Sequence, residues 1–282
     1  MIGQPKPLDE AIQMALNKRD ILSESRIKYL LKSALAGIYI GFGIMISFRL
    51  GEYFHDGTSP ATMMMVAIFF GIALVLIMYG KAELFTGNTM TFTMSSLKRA
   101  TSWKDTLENW LYCYFGNLMG AFFFAIIILL TGLFSSPDKS QLLMEVASYK
   151  MNTSIIEVFF RAILCNWLVC LAVWIPMHVK GDGANIAVMM LLVFGFVISG
   201  YEHSVANMVL FSISLVVSHP ESVTLLGAIH NLIPVTLGNI IGGSLFVGAL
   251  YVYIDTLPNK KNTTVEPPLE QEVSTRIITR LK

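Results

Sequence analysis

Glu83-Leu84-Phe85-Thr86-Gly87-Asn88-Thr89-Met90 and Glu202-His203-Ser204-Val205-Ala206-Asn207-Met208 each interrupt an apolar stretch of membrane length. The two inserts resemble each other. Each begins with a carboxylate, places an Asn five residues later, and follows hydrophobic sequence that ends in Gly. Inside a bilayer every backbone N–H and C=O needs a partner, so unwound chain persists only against protein or a water-filled cavity. A matched pair of interrupted helices in two halves of a chain therefore points to a midplane site for a small solute.

The rest of the composition agrees with a chain in lipid. Hydrophobic residues make up 54% and charged residues 14% of 282 positions, and the mean hydropathy is +0.62. Soluble proteins carry about 25% charge. A net charge of +1 gives no reason to expect a nucleic-acid partner. Cys113, Cys165 and Cys170 lie in apolar stretches without metal-ligand or redox spacing, so buried packing is expected, with no metal and no cofactor. The first 28 residues are too polar for a secretory signal peptide and are expected to stay in the cytoplasm.

Apolar runs able to cross about 30 Å of hydrocarbon occur near 29–51, 61–97, 107–133, 155–179, 185–217 and 231–254. The second and fifth are too long for one span and fit two half-helices around an insert. The expectation is an all-α integral membrane protein with six transmembrane helices, two of them broken. Lys and Arg accumulate in cytoplasmic loops. With both termini inside, inner segments hold fifteen of the 20 basic residues, outer loops hold Arg49, Lys139 and Lys150, and Lys81 and Arg161 fall within spans. That bias sets a multi-pass protein of the plasma (inner) membrane with both termini cytoplasmic.

Residues 1–28 read as an N-terminal segment whose amphipathic helix, from residue 8, lies at the inner surface. Asp9 would cap it, and Leu8, Ile12, Ala15, Leu16, Ile21 and Leu22 form an imperfect apolar stripe. Residues 29–254 form the transmembrane domain. Residues 255–282, polar and carrying Pro267-Pro268, form a cytoplasmic tail.

An internal repeat organises the middle. Phe115-Gly116-Asn117-Leu118-Met119-Gly120-Ala121 is echoed by Leu237-Gly238-Asn239-Ile240-Ile241-Gly242-Gly243, and the small residues allow close backbone approach. Each half, about 29–133 and 155–254, runs span, broken span, Gly-Asn span. Three spans per half is an odd number, so the halves have opposite topology.

Together with Glu83–Gly87, Gly200–Met208 and Asn231–Gly243, the run Cys165-Asn166-Trp167-Leu168-Val169-Cys170-Leu171-Ala172-Val173-Trp174 resembles the formate/nitrite transporter family from about residue 10 to 255. The resemblance implies an aquaporin-like protomer in a homopentamer, each protomer with its own pore for small monovalent anions. Aquaporins carry Asn-Pro-Ala at their half-helices, and this chain has none.

His203 is the only histidine expected at membrane depth, where an ionisable group is costly to bury without a use. Imidazole titrates near neutral pH and can hand a proton to a weak acid such as formate or nitrite. The alternative is a structural histidine bonded within the bundle. By resemblance, His203 is the pore histidine, facing Thr86 and Asn166, whose hydroxyl and amide replace part of an anion's hydration shell. The alternative for Asn166 is an interhelical bond. Lys150, 16 residues before Asn166, matches a family lysine whose field draws anions inward; otherwise it is an ordinary loop lysine. Leu74, Leu84 and Phe196 match the family's apolar constrictions. Glu83, Asn88, Glu202 and Asn207 are read as structural anchors of the inserts, with Glu202 paired to Lys150 or to backbone N–H groups.

Two residues depart from the family pattern. Lys81 stands where a small residue is expected, able to pair with Glu83, to snorkel or to add positive potential near the pore. Arg161 stands where an apolar residue is expected, able to snorkel outward or to pair with Glu157 four residues earlier. The function expected is passive or proton-coupled transport of small monovalent anions, nitrite or formate first. A hydrosulfide channel is the alternative within the family, and a water or glycerol facilitator outside it. The expected partners are these anions, membrane lipid and the other protomers. A membrane enzyme is disfavoured because no His-Glu-x-x-His, paired catalytic carboxylates or nucleophile–base motif occurs.

Overall fold

The computed structural model describes residues 6–55, 59–134 and 140–258, and every regular element among them is helical. Most of the expected C-terminal tail, with Pro267-Pro268, and Lys139 lie outside the described residues. Five segments are long and apolar enough to cross a membrane: Arg26–Glu52, Ala61–Tyr79, Trp103–Thr131, Ile155–His178 and Leu225–Thr256. The fifth expected run appears as two shorter apolar helices, Asp182–Ile198 and Ser204–Val216.

Helix α1 (Pro7–Glu24) starts at Pro7, with Lys6 at the N-cap and no side-chain cap, so Asp9 lies inside the first turn rather than capping it. It stops before residue 28 because Ser25 is extended and its side chain accepts the Lys28 N–H, starting α2 (Arg26–Glu52). Nor does α1 merely rest on a surface. Leu8, Ala11, Ala15 and Leu22 are buried in the protein, in clusters that include Met90, Met94 and Trp174 for Leu8 and Ala11.

The first broken run comprises α3 (Ala61–Phe70), α4 (Ile72–Tyr79) and, after the insert, α5 (Phe85–Leu97). Its first piece, Ala61–Tyr79, has 19 residues, about 28 Å at 1.5 Å per residue, longer than the half-helix expected there. Helix α6 (Trp103–Thr131) opens on a Ser102–Asp105 capping box and closes on Gly132 at φ 66. A further helix, α7 (Gln141–Asn152), occupies what reads as an outer loop and carries Lys150 in its last turn.

The second half continues with α8 (Ile155–Trp174), a short 3-10 turn at Ile175–His178, α9 (Asp182–Ile198) and α10 (Ser204–Val216). It ends with α11 (Leu225–Gly243), a π-helical segment at Ser244–Ala249 and α12 (Leu250–Thr256). The Gly-Asn spans pack as their small residues require. A Cβ on Gly120 would strike the Ala34 carbonyl of α2, and one on Gly242 the Ile163 carbonyl of α8. Large apolar side chains such as Leu130 at 80%, Leu226 at 79% and Ile156 at 71% exposure stand on the outside, a surface that needs lipid or another protomer to cover it.

Candidate functional site: two inserts around a histidine

The inserts are unwound chain between apolar helices, at 80–84 and 199–203, and the structure repeats the clamping of their backbone while their side-chain partners differ in detail. Two residues before each glutamate the chain enters the left-handed region, at Lys81 (φ 52) and Gly200 (φ 69). This is why a small residue is expected at 81: a side chain there costs on the order of 1–2 kcal/mol. Lys81 is exposed, and its carbonyl accepts from Lys32 Nζ. The ion-pair partner of Glu83 is not Lys81 but Lys18 of α1, at 3.2 Å.

In the first insert the Glu83 N–H donates to the Lys32 carbonyl at 3.0 Å. Lys18 Nζ, besides facing Glu83, donates to Asn88 Oδ1 at 2.6 Å. Asn88 Nδ2 donates to Tyr29 Oη at 3.0 Å and to Asn109 Oδ1 at 3.1 Å. In the second insert the Glu202 N–H donates to the Arg161 carbonyl at 3.5 Å. Lys150 Nζ donates to Glu202 Oε1 at 2.8 Å, and Asn207 Nδ2 donates to Glu202 Oε2 at 2.6 Å and to Asn231 Oδ1 at 2.8 Å. Each insert therefore holds a buried carboxylate against a lysine, which balances the charge. Glu202 also accepts from Asn207, whereas in the first insert Lys18 bridges Glu83 and Asn88. Lys150 pairs with Glu202 as expected, and Arg161 pairs with Glu157 at 3.2 Å.

The asparagines of the Gly-Asn spans hold the unwound backbone. Asn117 accepts the Phe85 N–H and donates to the Ser33 and Glu83 carbonyls. Asn239 accepts the Ser204 N–H and donates to the Ala162 and Glu202 carbonyls. The sequence pattern marked these motifs only as small-residue contacts. The spacing Gly-Asn-x-x-Gly in both halves was the signal that a polar group accompanies each close approach.

Leu84 is the N-cap of α5 and His203 the N-cap of α10, both extended, at φ −107 and φ −111. His203 Nδ1 accepts the Ala206 N–H at 3.0 Å. That nitrogen is therefore unprotonated in the neutral ring, and the proton sits on Nε2. Nε2 lies 2.9 Å from Thr86 Oγ1, so the ring donates to the hydroxyl, whose own proton is left to donate elsewhere. Protonating the imidazole would set an Nδ1–H against the Ala206 N–H. The geometry favours a neutral ring.

The ring stacks on Phe196, with centroids 5.9 Å apart. It separates two cavities that share Phe70 and Phe196. One, of about 90 Å³, is also lined by Lys150 and Asn207. The other, of about 20 Å³, is lined by Leu74, Leu84, Val169 and Val193. Phe70 was not singled out from the sequence, and nothing there distinguishes it from its apolar neighbours. One helical turn beyond Val169 and Val193, Val173 and Met189 line a further cavity of about 200 Å³ that is walled also by Glu10 and Met14 of α1.

His203 and Phe196 line both cavities, Lys150 lines the one of about 90 Å³ and Leu74 and Leu84 the one of about 20 Å³. Thr86 is buried behind the ring, bonded to it, and lines neither. Asn166 joins differently. Its amide nitrogen faces the Thr86 carbonyl at 3.2 Å, Thr89 Oγ1 at 2.9 Å and the Asn239 carbonyl at 2.6 Å. It braces the helix that carries Thr86 and lines neither cavity beside His203. Among the described residues no cluster of His, Cys, Asp or Glu is arranged to hold a metal.

Unwound chain clamped at two sites, apolar walls and a single imidazole describe a passage through a membrane, and the comparisons with known proteins agree. Residues 8–253 match the formate/nitrite transporter family. The chain is 50% identical over 248 residues to an uncharacterized transporter, YwcJ, of Bacillus subtilis, covering 88% of this chain and 97% of that one. It is 39% identical over 232 residues to the nitrite transporter NirC of Escherichia coli, covering 81% and 84%. A solved pentameric formate channel with formate bound superposes with a TM-score of 0.70 at 30% identity, covering 82% of this chain and 98% of that one. The chain belongs to the formate/nitrite transporter family and is a membrane transport protein, not an enzyme.

Proposed function

We propose that this chain moves small monovalent anions across the plasma membrane, with nitrite or formate as the favoured cargo. The observation that carries the reading is His203, which lines both cavities between apolar walls and lies 2.9 Å from the Thr86 hydroxyl. Leu74, Leu84, Phe70 and Phe196 exclude bulk water and hydrated cations. The Nε2–H···Oγ1–H arrangement offers a neutral donor to an anion without the trap of a full charge. Lys150, lining the larger cavity, lowers the cost of dehydrating an anion before it reaches the ring.

We read the protomer as six spans in two inverted halves, residues 1–28 and 255–282 flanking them on the cytoplasmic side, assembled as a homopentamer in lipid. Support comes from the repeated backbone clamping of the inserts, the basic bias of the inner segments and the pentameric relative. Nitrite leads because the relative NirC is named a nitrite transporter; formate follows from the formate-bound structure. A proton-coupled cycle through His203 requires the ring to release Ala206 while it holds a second proton; a passive cycle does not.

The test is flux in proteoliposomes with nitrite, formate, hydrosulfide and chloride at two pH values. Nitrite or formate flux that is lost on blocking the His203–Thr86 pair is expected. Hydrosulfide flux alone would select the alternative cargo, and water permeation without any anion flux would sink the reading.

A further inference from the structure

The mouth on the α7 side holds a cation with no part in the passage described above. A cavity of about 600 Å³ there is lined by His55, Glu145, Lys150, Arg161 and Glu202 among others. Among the described residues its lining cations are Lys150 and Arg161, set against the carboxylates of Glu145 and Glu202; His55 Nε2 lies 3.2 Å from Glu145. With His55 neutral, the formal charge of the lining is zero; Glu157, ion-paired to Arg161 at 3.2 Å but not part of that lining, brings the local sum to −1. Without Arg161 the sum would be −2, a field that repels the proposed cargo.

Arg161 is also held in place. Nη1 donates to Tyr149 Oη at 3.0 Å, Nη2 donates to Glu157 Oε2 at 3.2 Å, and the guanidinium lies 5.8 Å from the Tyr149 ring centroid. Those bonds use two of its five N–H donors, and the side chain keeps 30% of its exposure. Its backbone takes part in the fold as well, since the Arg161 carbonyl receives the Glu202 N–H. The matching carbonyl in the first half belongs to Lys32, so each insert is held by the backbone of a basic residue. The backbone clamp of the second insert therefore does not depend on the Arg161 side chain, whose own bonds run to Tyr149 of α7 and to Glu157.

We propose that Arg161 is an anion-capture residue of this mouth, raising the local concentration of small monovalent anions before they meet Lys150. The inference rests on the transport reading above. A charge at the rim of a binding surface acts mainly on the rate of encounter and on its salt dependence. Its influence extends about 8–10 Å at ordinary ionic strength.

The experiment compares full-length wild type, Arg161→Gln, Arg161→Lys and Glu145→Gln in liposomes. Initial nitrite and formate flux is read against concentration at low and at high potassium gluconate. Arg161→Gln is expected to raise the half-saturating concentration about three- to fivefold at low salt, in line with the free energy of exposed charge pairs. The maximal flux should stay the same, and the penalty should shrink at high salt. Arg161→Lys should restore the wild-type curve, and Glu145→Gln should lower the half-saturating concentration. Wild-type concentration dependence in Arg161→Gln, or a loss of maximal flux that lysine does not restore, would overturn the proposal while leaving transport intact. Absence of anion flux in the wild type would instead overturn the transport reading itself.

Discussion

Asn117 and Asn239 make the same three hydrogen bonds in opposite halves of the chain. Each accepts the N–H two residues after the insert glutamate, at 3.0 and 2.8 Å, and each donates to that glutamate's carbonyl, at 2.8 and 2.9 Å. The third bond reaches a carbonyl of the neighbouring span, Ser33 or Ala162, at 2.8 Å in both cases. Unwound chain is tolerated in the interior of a membrane protein only when its polar groups are met, and these two side chains meet them.

Removing either amide should therefore weaken the fold by comparable amounts. Asn117→Ala and Asn239→Ala each strip partners from three buried backbone groups, at about 1–3 kcal/mol apiece when nothing replaces them. Some relaxation is expected, and measured polar bonds in membrane bundles average about 0.6 kcal/mol, so a loss of about 2–4 kcal/mol is the expectation. Thermal unfolding in detergent measures it. A large loss for one variant and none for the other would break the equivalence of the halves.

The buried carboxylates make a second prediction. Glu83 and Glu202 are 6% and 1% exposed, and their lysines, Lys18 and Lys150, 15% and 17%. Deleting one partner of a buried pair costs about 3–5 kcal/mol because a charge is stranded. Lys18→Met should lower stability by that order, and Lys18→Met with Glu83→Gln should recover most of it. Truncation of residues 1–25 should match Lys18→Met at least, since it removes the same partner. Full stability in the truncated chain would mean that α1 is only a surface helix.

Much of this was legible in the sequence, and the part that was not had a common cause. Span positions, broken runs and the charge bias rest on composition and period, which act within a short window. Helix α7 lies between the apolar runs 107–133 and 155–179, too short and too polar to stand out as a span, and no side-chain cap marks its start. Instead, the Leu142 N–H donates to the carboxylate of Glu52 on α2, at 3.2 Å. Lys18 appeared only as one more basic residue of the inner side, because its partner Asn88 lies 70 positions away. Asn166 carried the right residue type, yet the direction of its amide depends on the packing of α5 against α8 and α11. The imidazole stood out by residue type, as the only histidine expected at membrane depth, whereas Thr86 was marked only by the family motif around it. The tautomer of the ring was not legible, since it is fixed by the Ala206 N–H.

Thr86 can be separated from its neighbours by an isosteric change. Thr86→Val keeps shape and removes the hydroxyl bonded to His203 Nε2, while Thr86→Ser keeps the hydroxyl. The loss of one hydrogen bond to a charged solute, about 1.5–3 kcal/mol, corresponds to a fall in nitrite flux of about 10- to 100-fold for Val. Flux through Thr86→Ser should stay within about threefold of wild type. Equal flux through the Val variant would remove Thr86 from the path.

His203 does two jobs on two nitrogens, and a substitution can divide them. Nδ1 caps α10 by accepting the Ala206 N–H, while Nε2 faces Thr86. Asparagine is a good N-cap, so His203→Asn should preserve the α10 start and the assembled protein while deleting the Nε2 donor. His203→Phe should lose both, with the cap worth about 1 kcal/mol. If Nε2 presents the donor for the anion, nitrite flux in His203→Asn should fall at every pH while stability stays within about 1 kcal/mol of wild type. If instead the ring carries the proton, the wild type should gain flux as pH falls through the imidazole range, and His203→Asn should lose that gain selectively, keeping the flux measured at high pH. Flux against pH from about 5 to 8, with thermal stability measured on the same samples, distinguishes the two. Unchanged flux with unchanged pH dependence in a folded His203→Asn protein would rule out both jobs for Nε2.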